Sequence, residues 1–393
     1  MSDLSAPPIG PASAAPAQAG AANRIGVSIG DIRACAPEDL PTVARLFQSA
    51  FRDPASEAPA SLHSCLRELF FEYPWDDPEL PSRVYITPDG KLRGFIGVLP
   101  LRMSFRGERI RAAVPSSMMV DRPEEHPLAG ARLLRSFLNG PQDISISEPL
   151  NPLTQGMWER LGGQSMPTES MEWLRVFRPA GFGLARMGER YSAVRFLRPL
   201  GTLVDRAAAS VAGASLQPCG KMPDYATEAD VSDDVLIGHI AELTADYELR
   251  PEWDPACLKW MLAHAGRNAG RGTLFRRMVY GRNNVPLGCY LYHGRPNEMA
   301  WVLQILARPD AVGPVLDSLF AHAYRHGSVA VKGRTQLRLM DGLLRRQCIF
   351  FRRHSAAVHS RNPQLLAAVR SGEALTSGLA AESWTRLIGD TFS

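Results

Sequence analysis

The sequence predicts a two-part α/β protein, each part a mixed, mostly antiparallel sheet flanked by helices. Three observations lead there. Residues 28–178 read as antiparallel strands followed by a strand, helix, strand crossover, the pattern of a mixed sheet. The same order of elements recurs from residue 233. The chain has 393 residues, more than the roughly 100–200 that one core usually organises.

In the first part, residues 32–36 read as a strand. Pro37, Glu38 and Asp39 then supply a proline and two acids suited to the first turn of a helix. Leu40, Val43, Phe47 and Phe51 follow with helical spacing and give one apolar face. Pro88-Asp89-Gly90 is a turn between strands at 84–86 and 92–99. A second turn at Gly107 joins 102–105 to 110–114. The strand ending at Met118, Met119 and Val120 runs into a polar loop over 121–127, a helix over 128–138, a short strand over 143–147 and a helix over 151–161. The second part repeats this order. It reads as helices over 235–247 and 254–265, a hairpin of 273–280 with 286–292, a strand over 299–306, a helix over 310–326, a strand over 328–332 and a helix over 336–344.

Composition narrows the class. With 45% hydrophobic and 21% charged residues, the chain is an ordinary water-soluble globular protein, neither fibrous nor wholly disordered. No run approaches the roughly 18 apolar residues of a membrane-spanning helix. Residues 1–27 are rich in Ala, Pro, Ser and Gly, and their prolines interrupt any signal-like apolar stretch, so a disordered tail on a cytoplasmic protein is expected. The six cysteines are spread singly with no C-x-x-C pair, and the nine histidines are dispersed. No disulfide framework and no metal site is therefore expected. Residues 179–232 form a linker whose basic amphipathic helix carries Arg186, Arg190, Arg195, Arg198 and Arg206. A connecting helix between domains is the expectation there, with contact to a membrane surface the lesser one.

The opening "IRACAPEDLPTVARLFQSAF" and the stretch Asn151, Thr154, Trp158, Gly162-Gly163 resemble the first strand and helix, and the fourth helix, of the GNAT superfamily of N-acetyltransferases. The recurrence of elements resembles the tandem GNAT proteins of bacterial polysaccharide clusters. The resemblance implies a GNAT-like domain over 28–178 that binds acyl-CoA, and a second, degenerate one over 233–393. It also implies a splayed parallel strand pair in each sheet. The donor would be acetyl-CoA or another acyl-CoA, held by backbone N–H groups of Met119 and Val120 and by a phosphate loop and helix start at His126, Ala129, Gly130 and Ala131, with Asn151 beside it. Physically such a loop is an anion site at a helix N-terminus. The sequence departs from the family's loop at Glu125 and Leu128, and Trp158 stands where the family often has a tyrosine acid.

The catalytic candidates are Ser117, before the splayed strand, Glu148 as base just after the next strand, and Asn151. Glu148 falls at the C-terminal edge of the sheet, where open α/β sheets bind ligands. Charge adds a pointer. Residues 266–353 hold 15 Lys+Arg against 4 Asp+Glu, and the rest of the chain is acidic, giving a net charge of only +4. A basic second half suits a small acceptor that is phosphorylated or sugar-linked. No stacking or helix-turn-helix signal supports nucleic acid. The expected function is acyl transfer from CoA to an amine of a small sugar or amino-acid acceptor by direct attack. The alternatives are an inactive GNAT-fold binding or scaffold protein and an aminoacyl-tRNA-dependent transferase.

Overall fold

The computed structural model describes residues 30–190 and 222–392. The expected tail and most of the expected basic linker helix lie outside the described residues. In the first part, β1 (Asp31–Ala34), β2 (Arg83–Ile86), β3 (Leu92–Phe105) and β4 (Glu108–Val120) form an antiparallel run in that order. Between β1 and β2 lie α1 (Leu40–Phe51) and α2 (Ala60–Phe71). The acids before α1 have a specific use: Asp39 accepts the Ala36 N–H at 2.8 Å and pairs with both terminal nitrogens of Arg33 at 2.6 and 2.8 Å. After β4 the chain crosses through α3 (Ala129–Leu138) to β5 (Ile144–Leu150), which lies parallel to β4, and then into α4 (Pro152–Arg160).

Two more strands follow, the short β6 (Gln164–Ser165) and β7 (Met171–Val176), then α5 (Pro179–Arg190). The second sheet is built from β8 (Thr227–Asp230), β10 (Thr273–Tyr280), β11 (Pro286–Gly294) and β12 (Met299–Ala307), all antiparallel, with β13 (Ala330–Arg334) parallel to β12 across α8 (Val312–Arg325). Helices α6 (Asp233–Leu243) and α7 (Pro255–Gly266) precede its hairpin, and β9 (Leu249–Pro251) between them pairs with β3 of the first sheet. The chain closes with α9 (Met340–Arg345), β14 (Ile349–Arg352), β15 (Ser355–Ser360) and α10 (Pro363–Ser371).

The sheets do not divide at the linker. β7, from the first part of the chain, pairs antiparallel with β13 and β14 in the second sheet. In exchange, β15 pairs antiparallel with β5 and β6 in the first. Each exchanged strand covers what would otherwise be an open sheet edge.

One apolar core fills the space between the sheets. It joins Leu66 and Phe70 of α2, Leu258 and Met261 of α7, Phe95 and Met103 of β3, and Met278 and Leu291 of the second sheet. The outer face of the first sheet is covered by Leu133 and Phe137 of α3 and Trp158 of α4. Leu316, Leu319 and Phe320 of α8, with Leu343 of α9, cover the second.

Candidate active site

β4 and β5 pair only at Ala112 with Ile144 and Ala113 with Ser145. Beyond that point β4 continues to Val120 and β5 to Leu150, and their facing edges part into a V. A bulge in β4 helps to open it. Phe95 pairs with Met119 but Gly97 with Ser116, so Ser117 and Met118 stand opposite the single residue Ile96. Ser117 takes a left-handed φ of 53°. Gly97 is needed opposite the bulge, because a Cβ there would lie 2.4 Å from the Phe70 ring and 2.9 Å from the Ser116 carbonyl.

A cleft of about 310 Å³ occupies the V. Pro115, Ser117 and Met118 of β4 and Ser147, Pro149 and Leu150 of β5 form its flanks. On the outer side it reaches Leu134, Asn151, Thr154 and Trp158; on the inner side it meets Phe47 and Phe51 of α1, Arg52 just after it, and Glu382, Leu387, Ile388 and Gly389 near the C-terminus. Trp158 is almost fully buried and packs against Phe137, so it is core as well as cleft floor. Asn151 caps α4, its Oδ1 accepting the Thr154 N–H at 2.8 Å.

The amides assigned to the donor point in two directions. The Asp121 N–H bonds the Arg93 carbonyl at 2.7 Å, and the Met119 carbonyl lies beside Gly94 of β3. Alternation along the strand therefore turns Met119 toward β3 and Val120 toward β5. Past Val120, α3 begins at Leu128 with no side-chain cap. The Ala129 N–H bonds the His126 carbonyl, and the His126 ring lies against Tyr85. Glu125 is paired with Arg122 at 3.1 Å, which offsets the negative charge that the sequence puts in this loop. Leu128 is 64% exposed. At Gly130 a Cβ would meet Val120 and Met157 only at ordinary contact distances of 3.6 and 3.9 Å, so packing within the protein does not require glycine there.

Ser117 and Asn151 thus line the cleft, whereas Glu148 turns away from it into the space between the sheets. Its carboxylate is 1% exposed, with Oε1 accepting the Gly378 N–H at 3.3 Å and the Ser383 hydroxyl at 3.1 Å, and Oε2 3.5 Å from Arg334 Nε. Burial raises its pKa, and the Arg334 charge opposes that shift. The carboxylate that does reach the cleft is Glu382. Burial, against a hydrogen bond from Ser116, pushes it up to about 8. Sequence reasoning passed over it because it lies in a segment with no helix or strand period. The available signal was a lone acid in the apolar run "GLAAESW".

The second sheet repeats the splay. β12 and β13 pair only from Met299 with Ala330 to Trp301 with Lys332. Their V is filled by the protein itself: the short 3-10 turn Gly378–Ala380 enters it, the Leu379 N–H bonds Gln304 Oε1 at 3.0 Å, and a Cβ on Gly378 would lie 2.3 Å from the Leu303 carbonyl. The same segment continues to Glu382 at the first cleft.

The basic surplus of residues 266–353 is mostly spent in ion pairs with acids from elsewhere in the chain. Arg276 pairs with Asp233, Arg308 with Glu242, Arg325 with Glu228, Lys332 with Glu172 and Arg267 with Glu68. It does not line the cleft, where Arg52 is the one cation among the described residues. No group of three or more metal-ligating side chains occurs among the described residues, and none of their helices is long and apolar enough to cross a membrane.

No family profile matches the chain, and no curated protein matches its sequence. Solved structures do match. A protein from Enterococcus faecalis described as a "probable N-acyltransferase" is 10% identical, with a TM-score of 0.54 over 84% of this chain and 72% of its own. A GCN5-related N-acetyltransferase from Anabaena variabilis is 13% identical, with a TM-score of 0.54 over 85% of this chain and 73% of its own. Another from Kribbella flavida is 13% identical, with a TM-score of 0.50 over 84% and 71%. Over most of its length the chain thus has the fold of the GNAT N-acetyltransferases.

Proposed function

We propose that the protein moves an acyl group, acetyl in the simplest case, from CoA to an amine of a small acceptor. The observation that carries this reading is the V between β4 and β5, open on both faces of the first sheet. A donor entering from the α3 and α4 side would lay its thioester along the freed strand edges, where the Val120 amide turns toward β5. Its phosphates would meet the uncapped start of α3 around Gly130 and Ala131, where N–H groups and the positive helix end favour an anion. The acceptor would enter from the α1 side. Transfer would then depend chiefly on proximity and on polarising the thioester carbonyl.

The filled V of the second sheet favours one donor site per chain, in the first part. The test is thermal: a ligand at 100 times its dissociation constant adds about 2.7 kcal/mol of stability. Acetyl-CoA in excess should raise Tm by several degrees. No shift with acetyl-CoA or with longer acyl-CoA would overturn the reading in favour of a binding scaffold. A shift with tRNA alone would favour the tRNA-dependent transferase.

A further inference from the structure

We infer that Glu382 is the acid–base residue of this cleft, and that the acceptor is a primary amine carried on an apolar, aryl-sized group. The inference rests on the acyl-transfer reading and adds to it the proton carrier and the acceptor class. Arg52 and Glu382 are the only ionisable side chains lining the cleft among the described residues. A guanidinium stays charged across the working pH range and cannot accept a proton, which leaves Glu382.

Its surroundings fit the task. The side chain is 7% exposed, and no ion pair among the described residues neutralises it. Ser116 favours its carboxylate form, and the Ser116 hydroxyl lies 3.4 Å from that of Ser117 at the bulge, so two hydroxyls stand between the carboxylate and the cleft flank. The charged groups that face it are Glu148 from β5 and Arg334 from β13, with Arg52, at the end of α1, in the same cleft. Burial and Glu148 hold the proton on; Arg334 opposes them. On its own segment, Arg386 is occupied by Asp390 at 2.6 Å.

The acceptor end is aromatic and aliphatic. Phe47 and Phe51 meet with ring centroids 5.1 Å apart, and Leu387 and Ile388 stand across from them. Phe51 is 49% exposed, so its ring offers apolar surface to a molecule in the cleft. Arg52 sits between the Phe47 and Phe392 rings and donates to the Leu387 carbonyl at 3.4 Å, tying α1 to the C-terminal segment.

The step balances as follows. The Glu382 carboxylate takes one proton from the acceptor ammonium. The freed nitrogen lone pair forms a C–N bond to the thioester carbonyl carbon, and the C=O π pair moves onto oxygen. As that pair returns, the C–S bond breaks and its electrons leave on sulfur. The second proton passes from nitrogen to the thiolate, giving the amide and free CoA, and Glu382 returns the first proton to water.

The experiment uses the full chain with acetyl-CoA and phenethylamine, and follows thiol release from pH 6 to 9. The wild type should turn over in an amine-dependent manner, with kcat/KM rising to a break near pH 8, where Glu382 titrates. Glu382→Gln should lose about 100-fold or more in kcat and the break with it, while keeping the acetyl-CoA shift in Tm. Glu382→Asp, which keeps the carboxylate, should recover part of the rate and the pH break; it also serves if the Gln variant does not fold. A Gln variant within about threefold of wild type would overturn the role of Glu382. A wild type stabilised by acetyl-CoA but inert toward phenethylamine would overturn the acceptor class. A wild type that acetyl-CoA does not stabilise would instead overturn the donor reading beneath both.

Discussion

The side-chain oxygen of Gln304 accepts the backbone N–H of Leu379 at 3.0 Å, and this bond, beside that of the Gly378 N–H to Glu148, holds the C-terminal segment in the V of the second sheet. Both groups are buried. Gln304→Ala leaves the amide without a partner, which costs about 1–3 kcal/mol. Urea unfolding should show that loss. Hydrogen exchange should show faster opening over residues 376–383 than at the β10–β11 hairpin.

If the donor's phosphates lie at the start of α3, as proposed, Gly130→Leu will separate donor binding from folding. Glycine in a helix costs about 1 kcal/mol relative to alanine, and leucine is nearly as good a helix former, while the site offers ordinary contact distances to a first side-chain carbon. The unliganded variant should melt within a few degrees of wild type. Its acetyl-CoA shift should vanish, as read by thermal melting with and without the donor.

Asn151→Ala should destabilise by about 1 kcal/mol, because the amide oxygen that caps α4 is lost. Asn151→Asp keeps an equivalent acceptor and should hold stability within a few tenths of a kcal/mol. If Asn151 acts only as a cap, turnover at a temperature well below both melting points will be the same in the Asp variant as in wild type.

The raised Glu382 carboxyl gives a pH signature with a definite sign. Its pKa is about 8 in the folded protein against 4.5 for the ordinary group. Between those values the folded state binds more protons than the unfolded one, so this group's contribution to stability falls as pH rises. Glu382→Gln removes the effect. The stability of the variant relative to wild type should therefore increase from pH 4.5 to pH 8, by an amount on the order of a few kcal/mol, and level off above. Urea midpoints across that range would measure it; a constant gap would contradict the buried, protonated carboxyl.

Much of the first part was legible in the sequence, because its turns and periods are local. Pro88-Asp89-Gly90 did mark the β2–β3 turn, Gly107 the β3–β4 turn, and Asn151 the start of α4. The strand, helix, strand crossover gave the parallel pair. The strand exchange left no comparable trace. β7 and β13 pair across more than 150 residues, and nothing in "MEWLRV" states which of two sheets it will join. The C-terminal segment was silent for a different reason: residues 372–392 are mostly buried and hold one short 3-10 turn but no α-helix or extended strand, so period-based reading has nothing to detect. The regional charge excess was visible but misleading, since ion pairs such as Lys332 with Glu172 and Arg325 with Glu228 join residues far apart in the chain.

The exchanged strand β15 also sets a timetable for synthesis. β5 ends at Leu150, but the strand that covers its edge ends at Ser360, 210 residues later. At about 5–20 residues per second, a ribosome takes roughly 10–40 s to supply it. Through that interval the nascent first sheet carries an unpaired edge beside the future cleft. A stalled or truncated chain would present that edge to its neighbours, and this protein is accordingly one whose recovery in cells should depend on chaperones that act during translation.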